Sequence, residues 1–171
     1  IKQLERTIDE IDFEAASRYE KRLRHDVMAH IHAWGDLAPD AKPILHLGAT
    51  SAYVVDNADL IIMRDGLGLL ADWLAAVINA LGLFAKKYRS LPTLGFTHFQ
   101  AAQPTTVGKR AALWCYDFVR DLDELEHCRE SLRFRGVKGT TGTQASFLDL
   151  CGGSHAKVRR MEADVARRMG F

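Results

Sequence analysis

Residues 52–89 read AYVVDNADLIIMRDGLGLLADWLAAVINALGLFAKKYR, and this stretch decides the fold. Leu60, Met63, Leu67, Leu70, Leu74, Val77, Leu81 and Phe84 recur at alternating spacings of three and four, which is a heptad seam. Ile62, Leu69, Trp73 and Leu83 lie off the seam, so a second face is apolar as well. A helix apolar on more than one face is covered from several sides. At 1.5 Å per residue this one extends about 55 Å, too long for a compact chain of 171 residues to cover alone. The stretch predicts one rod of a helical bundle shared between subunits.

The flanks fit that frame. Residues 1–33 carry interleaved charges around Leu4, Ile8, Ile11, Phe13, Val27 and Ile31, a helical pattern interrupted at EKRLRHD, residues 20–26. Trp34-Gly35 and Pro39 close the element. PILHLGATS, residues 43–51, reads as a loop that delivers the chain to the long helix, with Thr50 or Ser51 near its N-cap. Pro92 and Gly95 mark a break of short extended pieces. A second long helix is expected from about Pro104, placed in the first turn, to about Leu132. RGVKGTTGTQAS is an irregular loop that leads into a helix near 144–150, and a last helix covers roughly 154–169. The expected class is all-α, a long-helix bundle with a smaller N-terminal helical domain. Residues 1–50 are assigned to that N-terminal domain and 51–171 to the first part of the bundle.

Composition sets limits on function. The net charge is +1, from 23 Lys+Arg against 22 Asp+Glu, with no basic block. This argues against nucleic acid as a partner and leaves small anions open. The three cysteines are odd in number and lack C-x-x-C spacing, which favours buried free thiols and a cytoplasmic setting. No uncharged run is long enough to span a membrane, and no signal peptide is apparent. The chain starts at Ile1 and stops directly after a helical pattern, so it reads as a piece of something longer.

Three interruptions carry the chemistry: Arg24-His25-Asp26, Gly48-Ala49-Thr50-Ser51, and Gly139-Thr140-Thr141-Gly142-Thr143. The latter two present glycines and hydroxyls where a helix begins, and a helix N-terminus offers free N–H groups to carboxylate or phosphate. Taken singly, each is also an ordinary cap. GTTGT is not a nucleotide loop, because Lys138 precedes it. Of the seven histidines, His30 and His32 face different directions, and His46, His127 and His155 read as structural or solvated. No set has metal-ligand spacing. His25 and His98 each stand in an interruption beside polar neighbours, and imidazole moves protons near neutrality without large tuning.

HLGATS, LPTLGFTHFQAAQPTTVGKR and FRGVKGTTGTQAS together resemble the fumarase/aspartase superfamily. Within it, KRLRHDVMAH and FRGVKGTTGTQASF resemble the adenylosuccinate lyase family of the eukaryotic type, from end to end of the chain. The resemblance implies a homotetramer whose bundle takes helices from all four subunits, with shared active sites. It implies β-elimination of fumarate from succinylated nucleotides, with no metal and no organic cofactor. His98 matches the general acid for the leaving nitrogen. His25 matches a second active-site histidine that orients or polarises substrate, with Arg24 and Asp26 on the nucleotide part. Thr50, Ser51 and Thr97 match positions that hold a succinyl carboxylate, and the loop at 139–143 is expected to close the site.

Ala101 stands where relatives often carry proline, which loosens the turn and leaves the chemistry intact. The family's serine-rich loop bearing the general base lies outside 1–171, so the chain alone is expected to have negligible lyase activity. Two other readings compete: another superfamily lyase, of argininosuccinate lyase or cycloisomerase type, and a non-catalytic helical assembly module. The first lacks RHDVMAH. The second gives no reason for His25, Thr50, Ser51, Thr97 and His98 to remain together.

Overall fold

The computed structural model describes residues 1–171 and divides them into two units. The first comprises residues 1–61 and 133–171, the second 62–132. Seven α-helices account for most of the chain, as the sequence predicts: α1 (Lys2–Thr7), α2 (Phe13–Leu23), α3 (Asp26–Leu37), α4 (Ser51–Lys87), α5 (Val107–Ser131), α6 (Ala145–Leu150) and α7 (His155–Arg168). Helix α4 begins in the first unit and runs on into the second.

In the first unit, α2 starts at Asp12, whose carboxylate accepts the Ala15 N–H at 2.8 Å, the expected N-cap device. Helices α2 and α3 approach closely because Ala15, Ala16 and Ala33 form their shared core. Tyr19 borders it, stacked on His32 and donating its hydroxyl to Asp36 at 2.7 Å. The predicted interruption in EKRLRHD is the α2–α3 elbow. Glycine does not end α3; the helix passes through the buried Gly35 and stops at Leu37. A second core joins Val137, Phe147 and Val158, with Ala49, Tyr53, Leu148 and Val165 packed around it. This cluster brings the GTTGT segment, α6 and α7 onto the start of α4.

In the second unit the extended pieces expected near Pro92 and Gly95 pair with one another. Residues 92–106 form a two-stranded antiparallel hairpin, β1 (Pro92–Thr97) and β2 (Gln100–Thr106). Pro104 is not in a helix but pairs with Leu94 in β2, and α5 starts at Val107, capped by Thr106. A two-stranded ribbon tolerates proline because its outer edge needs no N–H. The register shifts between Leu94 and Phe96. Gly95 lies there, where a Cβ would meet the Gln103 carbonyl at 2.8 Å.

Along α4 the predicted seam separates into two rails. Leu60, Leu67, Leu74 and Leu81 are half-buried, whereas Met63, Leu70, Val77 and Phe84 stay exposed. The off-seam face is barer still, with Ile62 at 67%, Trp73 at 61% and Leu83 at 63% exposure. By length and hydropathy alone α4 is also sufficient to cross a membrane, although Asp72 interrupts its apolar run. A heptad with two apolar faces is the pattern of a bundle rod. The cysteines also differ from expectation: all three are free, but Cys128 is exposed and Cys115 and Cys151 are only half-buried.

Candidate active site

The first unit draws together the RHD elbow, the GATS corner and the GTTGT loop. Arg24 is the C-cap of α2 in the left-handed region (φ 57°), its N–H returned to the Glu20 carbonyl at 2.7 Å. That reversal lets the next residue open a new helix. His25 is the N-cap of α3, with Nδ1 3.4 Å from the Met28 N–H. Its other ring nitrogen, Nε2, lies 3.0 Å from Ser51 Oγ at the start of α4. Residues 25 and 51 are thus in direct contact.

The ring's two sides constrain each other. A capping Nδ1 must be bare, so the neutral ring carries its proton on Nε2 and donates it to Ser51 Oγ. Ser51 then keeps its own proton for another acceptor. The Asp26 carboxylate also lies 3.4 Å from Nδ1, a contact that needs Nδ1 protonated and therefore excludes the cap.

His46, read in the sequence as structural, stands in this neighbourhood. Burial, with the adjacent His25 as a second cause, holds its pKa below the ordinary 6.5. Asp26 and His46 are among the residues lining an apolar cleft of about 570 Å³, with Val27, Trp34 and Val54.

The GTTGT loop is fastened to the GATS corner. The Thr50 N–H faces the Lys138 carbonyl at 3.4 Å, and Ser146 Oγ donates to the Gly48 carbonyl. Within the loop, the Gly139 N–H reaches Thr143 O at 2.8 Å, and Gly142 adopts a φ of 74°. The two corners are not equal as anion cradles. GATS opens a helix of 37 residues, GTTGT one of only six with no side-chain cap, and so few aligned peptides sum to a weaker terminal charge.

Lys138 pairs with Glu162 of α7. Burial alone pushes Glu162 up, but hydrogen bonds from Lys138 and Gln144, with the lysine's charge, leave its pKa below the ordinary 4.5. A carboxylate whose folded pKa is depressed contributes stability that is full above its unfolded pKa and is lost as pH falls through the folded value. The thermal midpoint is therefore expected to decline below about pH 4.5. Glu162→Gln should flatten that decline; an identical slope in the variant would remove the pair from the account.

Thr97 and His98 belong to the second unit, at the turn between β1 and β2. His98 (φ 50°) and Phe99 (φ 60°) are both left-handed, the backbone of a type I′ hairpin turn. Both side chains are exposed, Phe99 fully so. The sequence-predicted residues are therefore divided: Arg24, His25, Asp26, Thr50 and Ser51 share the first unit, and Thr97 and His98 occupy the second. Sequence reasoning passed over Asn57, Ser146 and the Lys138–Glu162 pair. Only the polarity of Asn57 between apolar stretches offered a signal, and a weak one.

The family model described as Lyase matches residues 4–148. The chain belongs to this family. Over 160 residues it is 55% identical to the adenylosuccinate lyase of Schizosaccharomyces pombe, covering 94% of the chain and 33% of that protein. With the adenylosuccinate lyase of Saccharomyces cerevisiae it shares 52% over 170 residues, 99% of the chain and 35% of the relative. The crystal structure of a fumarate lyase from Mesorhizobium sp. BNC1 superposes with a TM-score of 0.77 at 29% identity, over 91% of this chain and 35% of that one. The chain thus spans about a third of the length of the relatives it matches. The fumarase/aspartase-like reading of the fold holds, and so does the likeness to adenylosuccinate lyases read from the motifs.

Proposed function

We propose that the chain supplies part of an adenylosuccinate lyase, which eliminates fumarate from adenylosuccinate to give AMP and from the related succinyl-carboxamide ribotide of purine biosynthesis. The observation that carries this reading is the contact of His25 Nε2 with Ser51 Oγ at 3.0 Å. It joins the nucleotide-side motif RHD to the carboxylate-side motif GATS.

The elimination removes a proton from the carbon beside a succinyl carboxylate, breaks the C–N bond and protonates the departing nitrogen. Thr50, Ser51 and Thr97 hold a carboxylate of the substrate. Ser51 suits this because His25 fills one acceptor site and leaves the serine proton directed outward. Arg24 and Asp26 contact the nucleotide part, and Asp26 already lines the apolar cleft. His98 delivers the proton to the leaving amine. The base comes from outside residues 1–171, and no metal or organic cofactor takes part. The GTTGT loop offers backbone N–H groups to charge that builds up on the substrate.

The active enzyme is a homotetramer with sites completed by neighbouring subunits. The exposed apolar faces of α4 support this, since a bare heptad needs partner helices. Three free cysteines, one of them exposed, fit a reducing, cytoplasmic compartment.

The test is fumarate release by the purified full-length gene product, followed by ultraviolet absorbance. Adenylosuccinate is expected to be turned over and argininosuccinate left unchanged. Turnover of argininosuccinate alone, or of neither, would overturn the reading.

A further inference from the structure

Asn57 is a polar side chain buried to 5% exposure, on the second turn of α4. Every part of its amide is engaged. Nδ2 donates to the Tyr53 carbonyl at 2.8 Å and to the Gly136 carbonyl at 3.1 Å, while Oδ1 accepts the Arg135 N–H at 2.9 Å. These partners fix the amide's orientation, since two carbonyls require the NH₂ side and one N–H requires the oxygen. Arg135 and Gly136 pair with this side chain as they would with a neighbouring strand.

The clamped residues lead directly into the GTTGT loop. Gly136 adopts a φ of 73°, and the Glu162 carboxylate fills the space a Cβ would occupy. The segment is therefore bonded to α4 through Asn57 and lies against Glu162 of α7, which pairs with Lys138. Just beyond it, the Lys138 carbonyl faces the Thr50 N–H, and Gly139 begins the loop. A buried amide that satisfies three backbone groups is costly to lose, because each abandoned group stays desolvated.

We propose that Asn57 is a positioning residue that holds the Gly139–Thr143 loop against the amino end of α4 and thereby sets the loop's contribution to the transition state. The kinetic part of this rests on the adenylosuccinate lyase reading. Thr50 and Ser51 stay in place without the clamp, so ground-state binding persists. An interaction realised only in the transition state lowers kcat and kcat/KM together.

In the full-length protein, Asn57→Ala is expected to lower kcat on adenylosuccinate by about ten- to a hundredfold, with KM within about twofold. Amide exchange at residues 138–143 should quicken while that of α2 and α3 stays constant. Asn57→Asp gives a second readout. The introduced carboxyl, buried against two carbonyl oxygens, resists ionisation, and only its protonated form can donate to Gly136. Its activity relative to wild type at the same pH should recover as pH falls.

Wild-type turnover decides the proposed function, and loop exchange decides the clamp whatever the substrate is. A raised KM with unchanged kcat, or unchanged exchange at 138–143, would overturn the inference. Failure of both variants to fold would do so too, by making Asn57 an ordinary core residue.

Discussion

In the full-length protein, His98→Ala is expected to lower kcat/KM on adenylosuccinate by about 10²-fold or more and to leave the circular dichroism spectrum unchanged. The turn that presents this ring is the reason to expect both results. His98 and Phe99 hold φ angles of 50° and 60° in succession, and a left-handed non-glycine residue costs about 1–2 kcal/mol. Asn-Gly would make the same turn cheaply. Strain of this kind gathers at functional sites. The ring is exposed, so its removal leaves the fold without a gap. His98→Gly sharpens the test by moving two quantities in opposite directions. It relieves the backbone, raising hairpin stability by about 1 kcal/mol, while activity is lost as in the alanine variant. Full activity in either variant would end the assignment of His98 as the acid.

The fold was legible where periodicity is long and illegible where it is short. The heptad from Leu60 to Phe84 located α4, because one register repeated over several turns leaves few alternatives. It could not show that Leu60, Leu67, Leu74 and Leu81 are half-covered while Met63, Leu70, Val77 and Phe84 are bare. Both rails are equally apolar in one dimension. At 92–106 the extended pieces were legible but their pairing into a hairpin was not, for a different reason. Its turn residues, His98 and Phe99, are not the asparagine and glycine that announce a type I′ turn. Pro104 also mimics a helix start although it sits in a strand.

The candidate site was legible as motifs and illegible as geometry. RHD, GATS and GTTGT each stand out locally. Their convergence depends on the α2–α3 elbow at Arg24, which the sequence marks only as an interruption, and on packing among Val137, Phe147 and Val158, which has no local signature. The same holds for His46. Its neighbours in sequence suggest a loop histidine, and only burial next to His25 sets it apart. Asn57 is the hardest case, because its partners Arg135 and Gly136 lie 78 and 79 residues away.

Gly108→Ala is expected to destabilise the 171-residue chain by about 3 kcal/mol or more, at or beyond the upper end of ordinary overpacking. Gly108 is the second residue of α5, pressed against the end of α4. A Cβ there would come within 2.7 Å of Arg89 Cα and N and would also overlap the Ala85 carbonyl. All three are backbone atoms, so no side-chain rotation can relieve the clash. Helix α5 and the last turns of α4 would have to part. That separation strikes the base of the hairpin that bears His98, where Val107 N–H bonds Leu91 O at 2.9 Å and Gly108 N–H bonds Tyr88 O at 3.0 Å. A loss of this size corresponds to a fall of about 6–12 °C in Tm for a chain of this length. Gly82→Ala provides the opposing control. Gly82 lies inside α4 with nothing within 4 Å of an added Cβ, so helix propensity alone should raise stability by about 0.5–1 kcal/mol. The same added methyl group is thus expected to act with opposite sign at the two glycines. Equal Tm values for Gly108→Ala and wild type in thermal unfolding would show that the two helices do not meet through backbone at this point.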